Sequence, residues 1–156
     1  MNSLSKKTQE AIWSIRVKLP WGRSECVRVI EIKYSATFLD LHEAIQDAVD
    51  FDNDHLFEFY VGRNPRNRAY AIGGEVNWDT FNPVKAYHKI HLSSVYPLPP
   101  GMNFYYLFDF GDNWVFQINK TRHKDKIFQT GVVYPRIIEA KGKNPEQYPD
   151  WEYEEK

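Results

Sequence analysis

The chain has one cysteine, Cys26, no long hydrophobic run, no excess of charge of one sign and no glycine-rich phosphate loop. Each shortage closes a class. A lone cysteine excludes an internal disulfide and fits a reducing compartment. Twenty basic side chains against 21 acidic ones give a net charge of −1, so any attraction to nucleic acid must come from a local patch. No apolar stretch approaches the roughly 18 residues of a membrane-spanning helix. Met1 to Glu10 is polar and carries no apolar signal region, so it reads as a flexible N-terminus. The expectation is a cytoplasmic protein with no membrane partner.

Catalytic signatures are equally scarce. His42, His55, His88, His91 and His123 lie far apart and form neither H-E-x-x-H nor paired Cys/His spacing, so neither metal nor cofactor is expected. Asp50, Asp52 and Asp54 match the first ligands of a calcium loop. His55 and Val61, however, stand where that loop needs glycine and glutamate. Asp109-Phe110-Gly111 resembles a kinase metal triplet, but the strand lysine and catalytic loop of a kinase are missing. Cys26 sits in a strand pattern with no evident base, and no G-x-S-x-G elbow exists.

What the chain does have is rings. Aromatic residues make up 16% of it, and many fall at period 2. Phe104, Tyr106, Phe108 and Phe110 alternate on one side of the turn Asp109–Asn113, and Trp114, Phe116 and Ile118 on the other, as a half-buried hairpin demands. Gly111 is expected to supply the positive φ of that reversal. Further strands are predicted over 11–19, 25–34, 55–61, 69–72 and 132–140. The second of these is apolar on both faces and so belongs in the sheet interior. Pro135 places the last at an edge. Thr37 reads as an N-cap with Asp40 three residues on, ahead of a helix with Phe38, Leu41, Ile45 and Val49 on one face. Residues 73–88 show no sustained period, and 91–96 suggest one helical turn before Pro97. The whole is an α+β class chain: a single-domain roll, mainly antiparallel sheet with one central helix packed on it. The domain is placed at residues 11–140, with 141–156 as a polar, acidic tail.

Thr37 to Gln46, Asp54 to Phe59, Phe108 to Trp114 and Tyr134-Pro135-Arg136 occur in an order that resembles the plasmid pRiA4b ORF-3-like family. Some of its members are labelled insertion-element passenger proteins of TnpR type. The resemblance implies an α+β roll linked to plasmids or mobile elements, and no particular activity. Family cysteines that follow the tyrosine-proline are replaced here by the run Ile137-Ile138-Glu139-Ala140, so no thiol-dependent role carries over. A serine resolvase also needs a nucleophilic serine in an arginine-rich site and a helix-turn-helix, and neither is legible.

Two functional readings remain, from different classes. The first is an uncharacterised binding or accessory module without catalytic residues. In it His55, Glu58, Asp109, Asp112 and Trp114 frame a polar pocket with an aromatic wall for a small ligand or peptide. The second is a metal-dependent nuclease or other phosphodiester enzyme built from Asp109, Asp112, Glu139 and Lys141. Nucleic acid is the less favoured partner. Its candidate stacking clusters are Trp21 with Arg23, and Tyr60 or Tyr70 with Arg63, Arg66 and Arg68.

Overall fold

Alternating rings and β-branched residues extend the chain wherever one pleated face can be buried, and the computed structural model follows that rule. It describes residues 10–19, 24–73 and 81–147. The elements are β1 (Ala11–Lys18), β2 (Val27–Lys33), α1 (Phe38–Val49), β3 (Phe57–Asn64), β4 (Asn67–Ala71) and a short helix α2 (Pro83–Tyr87). After a 3-10 turn (Leu92–Val95) come β5 (Asn103–Phe108), β6 (Trp114–Lys120), β7 (Lys126–Ile127) and β8 (Arg136–Lys141). All eight strands join one sheet in the order β4-β3-β5-β6-β1-β2-β8, with β7 paired to the start of β1. Every pairing is antiparallel.

β2 lies inside the sheet between β1 and β8, and β8 forms an edge directly after Pro135. α1 starts on the expected capping box. The Thr37 hydroxyl accepts from the Asp40 N–H, and the Asp40 carboxylate accepts from the Thr37 N–H. Its face of Phe38, Leu41, Ala44, Ile45, Ala48 and Val49 packs on the rings of β3, β5 and β6. Tilted and edge-to-face pairs such as Phe38–Phe59 and Phe38–Phe104, with centroids 5.1 and 5.7 Å apart, fill the layer between them.

Several sequence expectations need correction. Helix also forms in the stretch without period, as α2, where Asn82 caps Lys85 and Pro83 takes the first turn. β7 was not foreseen, because two residues carry no periodicity. The hairpin reversal does not use positive φ at Gly111. Asp109 (φ 62°) and Asn113 (φ 53°) are the left-handed residues, and the Asn113 N–H closes the turn on the Asp109 carbonyl at 2.7 Å. Asp109 therefore ends the strand, and Phe110 crosses to the other face to join Tyr60, Tyr105, Leu107 and Val115. The ring alternation thus stops at Phe108.

Residues 141–147 are tied to the domain. The buried Arg28 guanidinium donates to the carbonyls of Ala48, Val27, Lys141 and Gly142 and to the Asn144 side chain, at 2.7–3.1 Å. Gly142 (φ 83°) passes so close to the Glu25 carbonyl that a Cβ would lie 1.9 Å from it. Gln147 accepts from the Asp52 N–H and donates to Asp54.

Candidate functional site

The chemistry of the molecule gathers where α1 meets the 51–57 loop. Polar residues on the apolar face of α1 start it: His42 and Gln46 sit one helical turn apart among Phe38, Leu41, Ile45 and Val49. Burying them requires partners, and a closed ring of hydrogen bonds supplies these. The Asn53 N–H donates to Gln46 Oε1 (2.9 Å), and Gln46 Nε2 donates to the Tyr106 hydroxyl (2.9 Å). The hydroxyl donates to His42 Nδ1 (2.6 Å), and His42 Nε2 donates to Asn53 Oδ1 (2.6 Å). This assignment gives His42 the neutral Nε2–H form, with its ring stacked 3.5 Å from Phe57. Burial lowers the His42 pKa to about 4, against a smaller rise from the Asn53 bond. Burial also pushes the Tyr106 hydroxyl far above its ordinary value. The ring fixes Asn53 in a left-handed conformation (φ 54°) and so aims the next residues of the loop.

The loop delivers His55 to the mouth of the site. Its Nε2 lies 3.4 Å from Asp109 Oδ2 and 3.6 Å from Asp54 Oδ1, and its ring meets the edge of Phe108. Asp109 is held from three sides. Its N–H donates to the Leu56 carbonyl, and its Oδ1 accepts from the N–H groups of Gly111 and Asp112. Beside them a cleft of about 420 Å3 opens between α1, the loop and α2. Leu39, Leu56, Phe57, Phe81, Pro83 and Val84 form its apolar wall, and His42, Asn53, His55 and Asn82 its polar groups. Among the described residues Glu43 is the single acid in the lining, which holds no lysine or arginine.

Of the five residues proposed from sequence, the structure brings His55, Asp109 and Asp112 together, puts Glu58 on the opposite face and pairs Trp114 with Phe108 across the hairpin. Asp112 contributes its backbone to the Asp109 turn and exposes its side chain. Glu58 lies on the opposite face of β3, 1% exposed, in an ion pair with Arg68. Trp114 faces the core, edge-on to Phe51 at 5.0 Å. The reason is parity: Glu58 alternates with the buried rings of Phe57 and Phe59, so it cannot share their side. His42, Gln46, Asn53 and Tyr106 were missed. Two polar residues at i, i+4 within an apolar helical stripe were the available signal.

The phosphodiester constellation does not assemble. Glu139 and Lys141 stand on β8, four strands from Asp109 along the sheet, or about 19 Å at the ordinary interstrand spacing. Among the described residues no three of His, Cys, Asp and Glu could hold one metal ion. Cys26 is buried and its thiol is pushed up by that burial, with a smaller opposing pull from Arg28, so it is a poor nucleophile. Tyr60 is no stacking platform, since Arg68 covers its ring at 4.1 Å and it is 1% exposed. Tyr70 is exposed, while Trp21 and Arg23 lie outside the described residues.

Fold and site thus define an α+β protein: an eight-stranded antiparallel sheet with few helices and a cleft beside α1. The chain belongs to the plasmid pRiA4b ORF-3-like protein family, whose model matches residues 11–154. It is 28% identical over 137 residues to an uncharacterised protein, y4hQ, of Sinorhizobium fredii. That match covers 84% of this chain and 63% of the relative, so the chain spans less than two thirds of that protein's length. Among solved structures it is similar to a protein of unknown function, MM3350, from Methanosarcina mazei Go1. The TM-score there is 0.68 at 28% identity, over 95% of this chain and 80% of the other. No helix among the described residues is long and apolar enough to cross a membrane.

Proposed function

We propose that the protein is a binding or accessory module without catalysis of its own, and that the cleft beside α1 is its ligand site. One observation carries the reading: an apolar wall of about half a dozen side chains meets polar groups at Asn53 and His55 on a loop that the His42 ring holds in place. Both His42 nitrogens are engaged in the hydrogen-bonded ring, so the group serves as scaffold and has no proton to exchange with a substrate. Absence of lysine and arginine from the described lining, with Glu43 in it and Asp54 and Asp109 behind His55, suits a neutral or cationic ligand. Leu56 and Val84, 41% and 53% exposed, give it an apolar lip. A small molecule or short peptide with an apolar body and an amine or amide donor fits this combination. A link to plasmids rests on the family's description and on no residue of the chain.

Two-dimensional amide NMR against a panel of amine-bearing fragments and short peptides tests the reading. Shifts should cluster on Asn53, His55, Leu56 and Val84, and Val84→Glu should remove them with the fold retained. Shifts confined to other faces would dispose of the site. Metal-dependent cleavage of DNA or RNA that disappears in Asp109→Ala would replace the binding module with the phosphodiester enzyme.

A further inference from the structure

β1 alternates Trp13, Ile15 and Val17 into the core, so Arg16 and Lys18 project from the other face of the sheet. They stand about 7 Å apart along the strand. Across the ladder Arg16 pairs with Asn119 and Lys18 with Gln117, both on β6. Together with Lys120, Arg122 and His123 these residues line a groove of about 610 Å3 with no carboxylate among its described lining residues. Lys120 is held by Asp125 at 2.9 Å, whereas Arg16, Lys18 and Arg122 make no ion pair among the described residues. The contrast with the whole chain, net −1, is what makes the cluster informative. Cations left together without acids keep a positive potential that counter-ions or an anionic ligand must meet.

The strip is also long. Arg16 and Lys18 form a ridge between that groove and a second depression of about 570 Å3, which reaches Lys141 on β8. From β6 to β8 it crosses three interstrand gaps, about 14 Å, more than a single phosphate spans. Glu139 lies in the second depression, and Glu25 pairs with Lys141 at 3.3 Å, so the β1–β6 side is the more positive end.

We propose that this strip binds consecutive phosphates of a single-stranded nucleic acid through its backbone. Phosphate contacts position a strand without reading it. The stacked tyrosines of the same face, Tyr60 and Tyr105, are 1% and 2% exposed and offer no ring to a base. Binding is therefore indifferent to sequence. The assignment is independent of the cleft beside α1, whose described lining holds no lysine or arginine.

Fluorescence anisotropy with labelled 12-nucleotide dT, dA and RNA strands, titrated between low and moderate salt, tests it. All three should bind, with log affinity falling against log salt at a slope of about −2 to −3, as three to four neutralised phosphates require. The double variant Arg16→Gln/Lys18→Gln should weaken binding about tenfold or more and flatten the slope by about 1.4. Lys85→Gln/Lys89→Gln, on and beside α2, should change neither. Absence of salt-dependent binding, or equal weakening by both double variants, overturns the site. Displacement of the strand by tripolyphosphate at equal phosphate concentration overturns the nucleic-acid assignment and leaves a short-anion site. Preference for one base overturns backbone recognition.

Discussion

The two faces of the sheet are built by opposite means. On the side under α1, rings and aliphatic chains interlock around a few partnered polar groups: His42, Gln46 and Tyr106 in the ring that includes Asn53, the Tyr87 hydroxyl that accepts from the Phe59 N–H, and Arg28 that donates to the Ala48 carbonyl. On the other side buried carboxylates share the face with the smaller cluster of Tyr60, Tyr105 and Leu107. Glu31 is fully buried between Lys126 (2.5 Å) and Arg136 (2.6 Å), and Glu58 is 1% exposed against Arg68. The first face draws on the hydrophobic effect and tolerates no gap. The second draws on ion pairs whose cations stay half in water, so it is the weaker contributor and the more sensitive to pH and salt. The two proposed sites follow the same division: the cleft opens at the margin of the apolar face, and the basic strip occupies the charged one.

The largest way to break the comparison is to empty the apolar side. Phe104 has no exposed surface and packs against Phe38, Phe59 and Tyr96. Phe104→Ala should cost about 3 to 5 kcal/mol in urea unfolding, because a rigid aromatic layer cannot collapse into the void. A loss below 1 kcal/mol would mean that the rings do not form one packed layer.

The next effect belongs to the polar ring inside that layer. With His42 held at a pKa of about 4 and an unfolded value near 6.5, the unfolded chain binds a proton that the native chain refuses. Stability is therefore full above pH 6.5 and declines between 6.5 and 4, by roughly 3 kcal/mol at most. The imidazole 15N shifts of His42 should stay fixed from pH 7 down to 5. Titration near 6.5 would show that the site is wetter than the buried ring allows.

Much of the apolar face was legible from sequence, because period 2 and period 3.6 are imposed by burial itself. The strands through Phe59, Tyr106 and Phe116 and the helix from Phe38 follow from that alone. The charged face was not legible. A glutamate in a strand reads as solvent-facing unless its partners are known, and Lys126 and Arg136 lie 95 and 105 residues from Glu31. His55 and Asp109 could be suspected, whereas Glu58 turns out to lie across the sheet from them. Strand parity decides which side chains meet, and the period of one strand does not show how it registers with the next.

Glu31→Gln sharpens the charged side of the comparison. Burial raises the Glu31 pKa, but the bonds and charges of Lys126 and Arg136 outweigh this and leave it below the ordinary 4.5. The stabilisation is thus present above pH 4.5 and is lost as pH falls through the lower native value. At neutral pH the substitution should cost roughly 1 to 3 kcal/mol, limited by the exposure of both cations. The variant should also lose part of the acid limb of a thermal melt series. An unchanged acid limb would show that the Glu31 ion pairs do not carry the pH response of this face.

The smallest effect separates the two explanations of the hairpin where the faces exchange a ring. If Gly111 were the left-handed residue, alanine there would be strained and the turn weakened. Its φ is not in that region, and an added Cβ would meet only the Asp109 Oδ1 atom at 3.4 Å, an ordinary contact. Asp109 carries the strain, at φ 62°, and repays it by accepting the Gly111 and Asp112 N–H groups. Asp109→Ala should therefore cost roughly 1 to 2 kcal/mol, since alanine keeps the unfavourable φ and loses both bonds. Asp109→Asn should be milder, because its carbonyl accepts as the carboxylate does. Gly111→Ala should fall between neutral and a gain of about 0.5 kcal/mol, from the reduced freedom of the unfolded chain. A loss above 1 kcal/mol in Gly111→Ala would return the turn to glycine and put Phe110 back on the α1 side.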